Sequence, residues 1–402
     1  MKTQIRGGIT APKGFLAGGV HSGIKNAPIL DLALVVSEQS GPIAGVFTTN
    51  QLPAAPVLVD RQKLRHRIGQ AIIVNSGNAN ACTGAQGLRD AKEMATITAQ
   101  HIELSAQQVF VGSTGIIGRP LALSCIRKAL PTLVKRLSRR GHRQAAQAIM
   151  TTDTKPKEAA ASCRIGNTLI TIGGMAKGSG MIHPNMATML AYLTTDIAIE
   201  AKALQHALTI AVNRSFNCVS VDGETSTNDT VLLLANGLAH NAPLTRRSTF
   251  FPAFQELLNH VCLSLALQIC RDGEGLTKMV EILVQGAKSQ QDAKWIANSI
   301  ATSPLVKTAI FGEDPNWGRI LAAMGQAGVA LTSQTITLHF NDHPLLKNGE
   351  GLGPNAEQKI KTIMQKPEYR ITITIGNGPG TAHLWTTDLT YDYVKINASY
   401  TT

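Results

Sequence analysis

Short apolar runs closed by glycine, asparagine or serine recur along the chain. They predict strands over Leu32–Ser37, Gly45–Thr49, Ala71–Asn75, Gln108–Val111, Leu169–Ile172, Thr188–Leu193, Val231–Leu234, Lys307–Phe311, Gln334–Phe340 and Tyr369–Ile375. Between them the apolar positions move to helical spacing, over Leu88–Ile102, Ser124–Arg139, His142–Met150, Ala201–Asn213, Phe251–Arg271, Asp292–Ser299 and Trp317–Gly328. The mixture predicts an α/β or α+β protein. No repeat, low-complexity tract or flexible linker interrupts it. The 402 residues exceed what one core usually serves, so two lobes sharing an extensive interface are expected.

Composition agrees with a packed protein: 44% of residues are hydrophobic and 16% charged. Aromatics are only 4%, so Leu, Ile, Val, Ala and Met must fill the core. The six cysteines are scattered without a Cys-x-x-Cys pair, which predicts reduced, mostly buried thiols of a cytoplasmic protein. The start lacks a signal-peptide pattern. The longest apolar runs, such as Ile320 to Leu331, are too short to span a bilayer, so no membrane partner is expected.

The net charge of +12 raises the question of nucleic acid. Much of the excess lies between Arg127 and Arg143, interleaved with Leu130, Leu133, Val134 and Leu137, which is the solvated face of a helix. No aromatic platform for bases accompanies it, and a nucleic-acid partner is not expected. Phosphate-binding glycine loops, His-Glu-x-x-His and Gly-x-Ser-x-Gly are all absent. Asp222, Asn228 and Asp229 lack the spacing of a calcium loop, so no metal is expected. Asn75, Asn78 and Asn80 read as turn-tying side chains.

One segment carries chemistry of its own. In Lys177-Gly-Ser-Gly-Met-Ile-His-Pro-Asn-Met-Ala-Thr-Met-Leu190 a small residue, Ala187, precedes Thr188. Scission of the Ala187–Thr188 bond would give Thr188 a hydroxyl nucleophile and an α-amine base of pKa ~7.7–8.0 on one residue. A histidine base is then unnecessary, and His183 reads as a loop residue.

This segment resembles the self-cleavage region of the ornithine acetyltransferase family, also called bifunctional glutamate N-acetyltransferases. Further stretches resemble that family in its order and cover nearly the whole chain. They are Asn75–Gly84, Ser113-Thr-Gly-Ile-Ile-Gly118, Met150-Thr-Thr-Asp-Thr154, Ser220–Asp229, Arg271-Asp-Gly-Glu-Gly275, Gly312-Glu-Asp-Pro-Asn-Trp-Gly-Arg319 and Asn397–Thr402.

The resemblance implies an α/β sandwich with α-β-β-α layers, like that of self-processing aminopeptidases. It implies self-cleavage into residues 1–187 and 188–402, two copies of each remaining together. Thr188 would take the acetyl group of N2-acetylornithine and pass it to glutamate in arginine biosynthesis. No cofactor is required, and acetyl-CoA stands as an open second donor.

By motif match, Thr114 and Gly115 form the oxyanion hole, and Thr151, Lys177, Thr188, Glu274, Asn397 and Thr402 contact substrate. Each match has a plainer reading. Ser113-Thr-Gly suits a turn after a strand, Thr151 a turn hydroxyl, and Lys177 and Glu274 solvated loop charges. Asp314 or Asn316 suits a helix cap. The rival function is a self-processing amidase or aminopeptidase using the same nucleophile and passing the acyl group to water.

Overall fold

The computed structural model describes residues 3–183 and 189–399, so Ala187, Thr188 and Thr402 lie outside the described residues. The described chain divides into two compact units, one comprising residues 3–183, 189–217 and 224–269, the other residues 218–223 and 270–399.

Unit one contains strands β1 (Thr3–Gln4), β2 (Phe15–Val20), β3 (Leu32–Phe47), β4 (Ile68–Asn78), β5 (Val109–Ile116), β6 (Lys157–Ile165), β7 (Thr168–Lys177), β8 (Leu190–Thr195) and β9 (Thr230–Ala235). Its helices are α1 (Ala55–Lys63), α2 (Gly84–His101), α3 (Leu123–Lys135), α4 (His142–Ala148), α5 (Ala201–Asn213) and α6 (Phe251–Arg271), whose last two residues belong to unit two. The strands run in the order β1-β6-β7-β8-β9-β3-β4-β5, with β2 also on β3.

β3 unites two of the predicted strands. Its first half pairs with β2 and β4, its second half, Ile43–Phe47, with β9, and the register with β4 breaks between Val36 and Gly41. Residues 38–44 read as a gap between strands, yet there one strand passes from one half-sheet to the other.

The layers follow from which faces are apolar. Phe15, Val35, Ile72, Val74 and Phe110 from one half-sheet share a core with Met175, Leu190, Tyr192, Leu232 and Leu234 from the other. The opposite face of the first half, including Leu34, Ile73 and Val111, packs on Met94 and Ile97 of α2 and Ile126, Leu130 and Leu133 of α3. The basic residues of α3 therefore stand on its outer side, as the spacing predicts. Across the unit, Gln268 of α6 donates to the Glu158 carbonyl of β6 at 3.0 Å, and Gln255 of α6 donates to the Ala207 carbonyl of α5 at the same distance. These contacts give the expected α-β-β-α order.

Unit two holds β10 (Met279–Ala287), β11 (Thr337–Phe340), β12 (His343–Lys347), β13 (Glu350–Gly351), β14 (Glu368–Thr374) and β15 (Gly380–Thr387) in the order β13-β12-β11-β14-β10-β15. Its helices are α7 (Gln290–Thr302), α8 (Pro304–Phe311), α9 (Trp317–Gly325), α10 (Pro354–Met364) and α11 (Tyr391–Ser399). Val280, Ile282 and Val284 of β10 pack against Ala293, Ile296 and Ile300 of α7 in one core.

Lys307–Phe311 is helical, not a strand. Ser303 accepts a hydrogen bond from the Val306 N–H at 3.4 Å, and Pro304 fits the first helical turn. A five-residue apolar run cannot by itself distinguish the two periods. Asn316 is the cap of α9, accepting from the Arg319 N–H at 3.2 Å. Only Cys163, Cys262 and Cys270 are buried, and Cys82 is exposed, so the thiols are less uniformly interior than expected.

Candidate active site

The C-terminal ends of the parallel strands β4 and β5 place Ser76 beside Thr114 and Gly77 beside Gly115. Ser113-Thr-Gly is therefore strand, not a turn following one, and Thr114 is buried. Gly115 has φ +130°, and a Cβ there would lie 2.4 Å from the Gly77 carbonyl carbon and 2.6 Å from the Asn78 nitrogen. Conformation and space both demand glycine.

Asparagines fix these strand ends. Asn75 accepts from the Ser113 hydroxyl at 2.6 Å and donates to the Asn78 carbonyl at 2.9 Å, while Asn78 accepts from the Asn80 N–H at 2.8 Å. Asn228 donates to the carbonyls of Ala79 at 2.6 Å and Ser113 at 2.9 Å. The turn-tying reading of the asparagines holds. Asn228 serves the same framework.

Thr151 and Lys177 meet around Asp153. One carboxylate oxygen of Asp153 accepts from the Lys157 ammonium at 2.6 Å and the Gly178 N–H at 2.7 Å; the other accepts from the Thr151 N–H at 2.9 Å. Burial alone would raise this carboxyl. The charges of Lys177 and Lys157 and the hydrogen bonds outweigh burial and hold it down, at about 2. Lys177 ends β7 and is only 2% exposed, which overturns its reading as a surface charge.

Leu190, the partner of Lys177 in β7/β8, opens the strand that follows Thr188. One residue earlier, the Met189 N–H donates to Asp229 at 2.8 Å. Asp229 is fully buried, and burial pushes its carboxyl well above the usual range against the pull of that N–H and of Lys177. His183 is half-buried; burial lowers its imidazole, with Glu224 opposing.

In unit two, Glu274 accepts a hydrogen bond from Asn397 at 2.9 Å. The turn at Glu274 packs on the start of α11: Thr390 donates to the Gly275 carbonyl at 2.6 Å, and a Cβ on Gly275 would lie 2.5 Å from the Tyr393 nitrogen. Asn397 thus sits on a formed helix rather than a frayed tail. The predicted residues gather as Thr114 with Gly115, Thr151 with Lys177, and Glu274 with Asn397. Sequence reasoning missed the roles of Asp153 and Asp229, although both lie inside motifs that resemble the family's.

The first unit is an α/β sandwich whose strand ends present a sterically obligatory glycine, a buried threonine and a buried lysine at one edge, an arrangement suited to acyl transfer. The ArgJ family model matches residues 16–402. The arginine biosynthesis bifunctional protein ArgJ of Symbiobacterium thermophilum is 47% identical over 99% of both chains, and ArgJ 1 of Nostoc sp. is 45% identical over 99% of both. The crystal structure of the Bacillus halodurans ArgJ protein is 42% identical and superposes with a TM-score of 0.50, covering 52% of this chain and 98% of that one. The chain belongs to the ArgJ family.

Proposed function

We propose that this protein is the acetyltransferase of arginine biosynthesis that moves the acetyl group of N2-acetylornithine to glutamate through an ester on Thr188. The end-to-end match to bifunctional ArgJ proteins carries the reading. The Thr188 hydroxyl attacks the acetyl carbonyl and its proton passes to the Thr188 α-amine. The tetrahedral oxyanion is held by the Thr114 hydroxyl and the Gly115 N–H. Collapse returns the proton to the leaving nitrogen, freeing ornithine. The glutamate amine then attacks the ester, losing its proton to the same α-amine, and Thr188 is restored. The same scheme accommodates acetyl-CoA as a donor, and it calls for no cofactor.

Self-cleavage between Ala187 and Thr188 gives the nucleophile its free amine. The two pieces have reason to stay together afterwards, because β7 of the first pairs with β8 of the second, and β3 with β9. Lys177 and Thr151 bind a substrate carboxylate. Glu274 binds the ornithine ammonium, and Asn397 and Thr402 contact substrate. Two copies of each piece form the assembly, working in the cytoplasm; no described helix is long and apolar enough to cross a membrane.

The test is Thr188→Ala. The variant is expected to remain one chain by denaturing mass spectrometry and to lose transfer to glutamate by about 10⁴-fold or more. A normally processed or active variant sinks the scheme. Release of free acetate by wild type without glutamate-dependent product favours the hydrolytic rival.

A further inference from the structure

Lys25 stands among the site residues without any motif pointing to it. It lies in the loop between β2 and β3, which is wound around the buried carboxylate of Asp31. That carboxylate accepts the backbone N–H groups of Ser22, Gly23 and Lys25, the last at 3.0 Å. The Lys25 side chain then runs past Gly77, where an added Cβ would come within 2.9 Å of Lys25 Cγ. Gly77 is the register partner of Gly115. At its far end the ammonium donates to the Met150 carbonyl at 2.6 Å, directly before Thr151. A single side chain therefore runs from Gly77, beside Gly115, to the Thr151–Lys177 cluster.

Lys25, Lys157 and Lys177 lie around Asp153, with Asp31 also facing Lys25 and Asp229 also facing Lys177. Lys25 spends one of its three N–H bonds on Met150, and no other acceptor lies within hydrogen-bonding distance among the described residues. Burial and the neighbouring charge of Lys177 both work against the Lys25 ammonium, with Asp31 and Asp153 opposing. A bound anion would relieve that penalty.

We propose that Lys25 is a second carboxylate-binding cation of the substrate site, holding the side-chain carboxylate of the acceptor glutamate, while Lys177 holds the α-carboxylate shared by donor and acceptor. The proposal rests on the acetyl-transfer reading above. Its logic is charge: N2-acetylornithine brings one carboxylate and an ammonium, whereas glutamate brings two carboxylates. A second cation with unused N–H groups beside Lys177 matches the acceptor that carries the extra carboxylate.

Two reactions separate this role from that of a strut. One is transfer from N2-acetylornithine to glutamate; the other is acetyl exchange between N2-acetylornithine and isotopically labelled ornithine, an acceptor with a single carboxylate. Lys25→Met is expected to lower kcat/KM for glutamate by about 10- to 100-fold, chiefly through KM, and exchange by less than about threefold. Lys25→Arg should recover most of the glutamate reaction. Equal losses in both reactions, or no loss in either, overturn the proposal. If Lys25→Met fails to fold, wild type still decides: it should use glutamate far better than glutamine, and equal use refutes a cation reading the side-chain carboxylate. A wild type unable to catalyse exchange refutes the acetyl-enzyme scheme instead, independently of Lys25.

Discussion

The proposed site residues of the two units are built in opposite ways. In the first unit Thr114, Gly115 and Lys177 lie at strand ends, Thr114 and Lys177 buried and Gly115 half-buried, in a framework tied down by Asn75, Asn78, Asn228 and Asp153. In the second, Glu274 sits in a turn and Asn397 on an exposed helix face, joined by one hydrogen bond. Groups that stabilise developing charge must be in place before reaction, so they need a scaffold that does not reorganise. Groups that select a substrate by its far end tolerate exposure and turn geometry. Changes at Thr114, Gly115 and Asp153 should strike rate and stability, and changes at Glu274 and Asn397 substrate preference.

Among the described site residues, the largest expected effect is at Gly115. Gly115→Val places a β-branched residue at positive φ against the Gly77 carbonyl. Transfer should fall by about 10²–10³-fold in kcat, the cost of losing one oxyanion donor. Steady-state kinetics on the processed protein checks this; a variant with unchanged kcat removes Gly115 from the oxyanion role.

Asp153 comes next. Its folded carboxyl titrates at about 2, below the ~3.8–3.9 of an unfolded aspartate. The group therefore stabilises the fold fully above that unfolded value, and the contribution disappears as pH falls towards 2. Asp153→Asn should lose about 2 kcal/mol at neutral pH by denaturant unfolding, with the gap to wild type closing between about pH 4 and pH 2. A gap constant with pH would mean that charge is not what Asp153 contributes.

Glu274 should show the smallest and most selective effect. Glu274→Ala is expected to raise KM for N2-acetylornithine about tenfold, a charge-assisted hydrogen bond in a half-exposed setting, and to matter less for an analogue lacking the side-chain ammonium. Equal losses for both substrates would end its assignment to ammonium recognition and blur the contrast between the units.

The sequence made some of this legible and hid the rest for physical reasons. Helices with a strong apolar stripe, such as α2, α5 and α6, stand close to their predicted ranges. α8 was misread because its capping serine and proline precede an apolar run short enough for either period. β6 and β10, unpredicted, carry polar or charged residues such as Lys157, Glu158, Glu281 and Gln285 that obscure a strand pattern. Motifs located Thr114, Thr151, Lys177, Glu274 and Asn397, but not what holds them. Asp229 anchors a backbone N–H forty residues away, at Met189, and Lys25 reaches its neighbours only through the fold.

The central claim is that a new amino terminus at Thr188 carries the acetyl group. Intact mass spectrometry of active protein under denaturing conditions, with and without N2-acetylornithine and in the absence of glutamate, tests it directly. Two species meeting at Ala187/Thr188 are predicted, and the piece spanning residues 188–402 should gain one acetyl group that glutamate then removes. A fully active single chain of 402 residues, or acetylation confined to residues 1–187, would contradict the account.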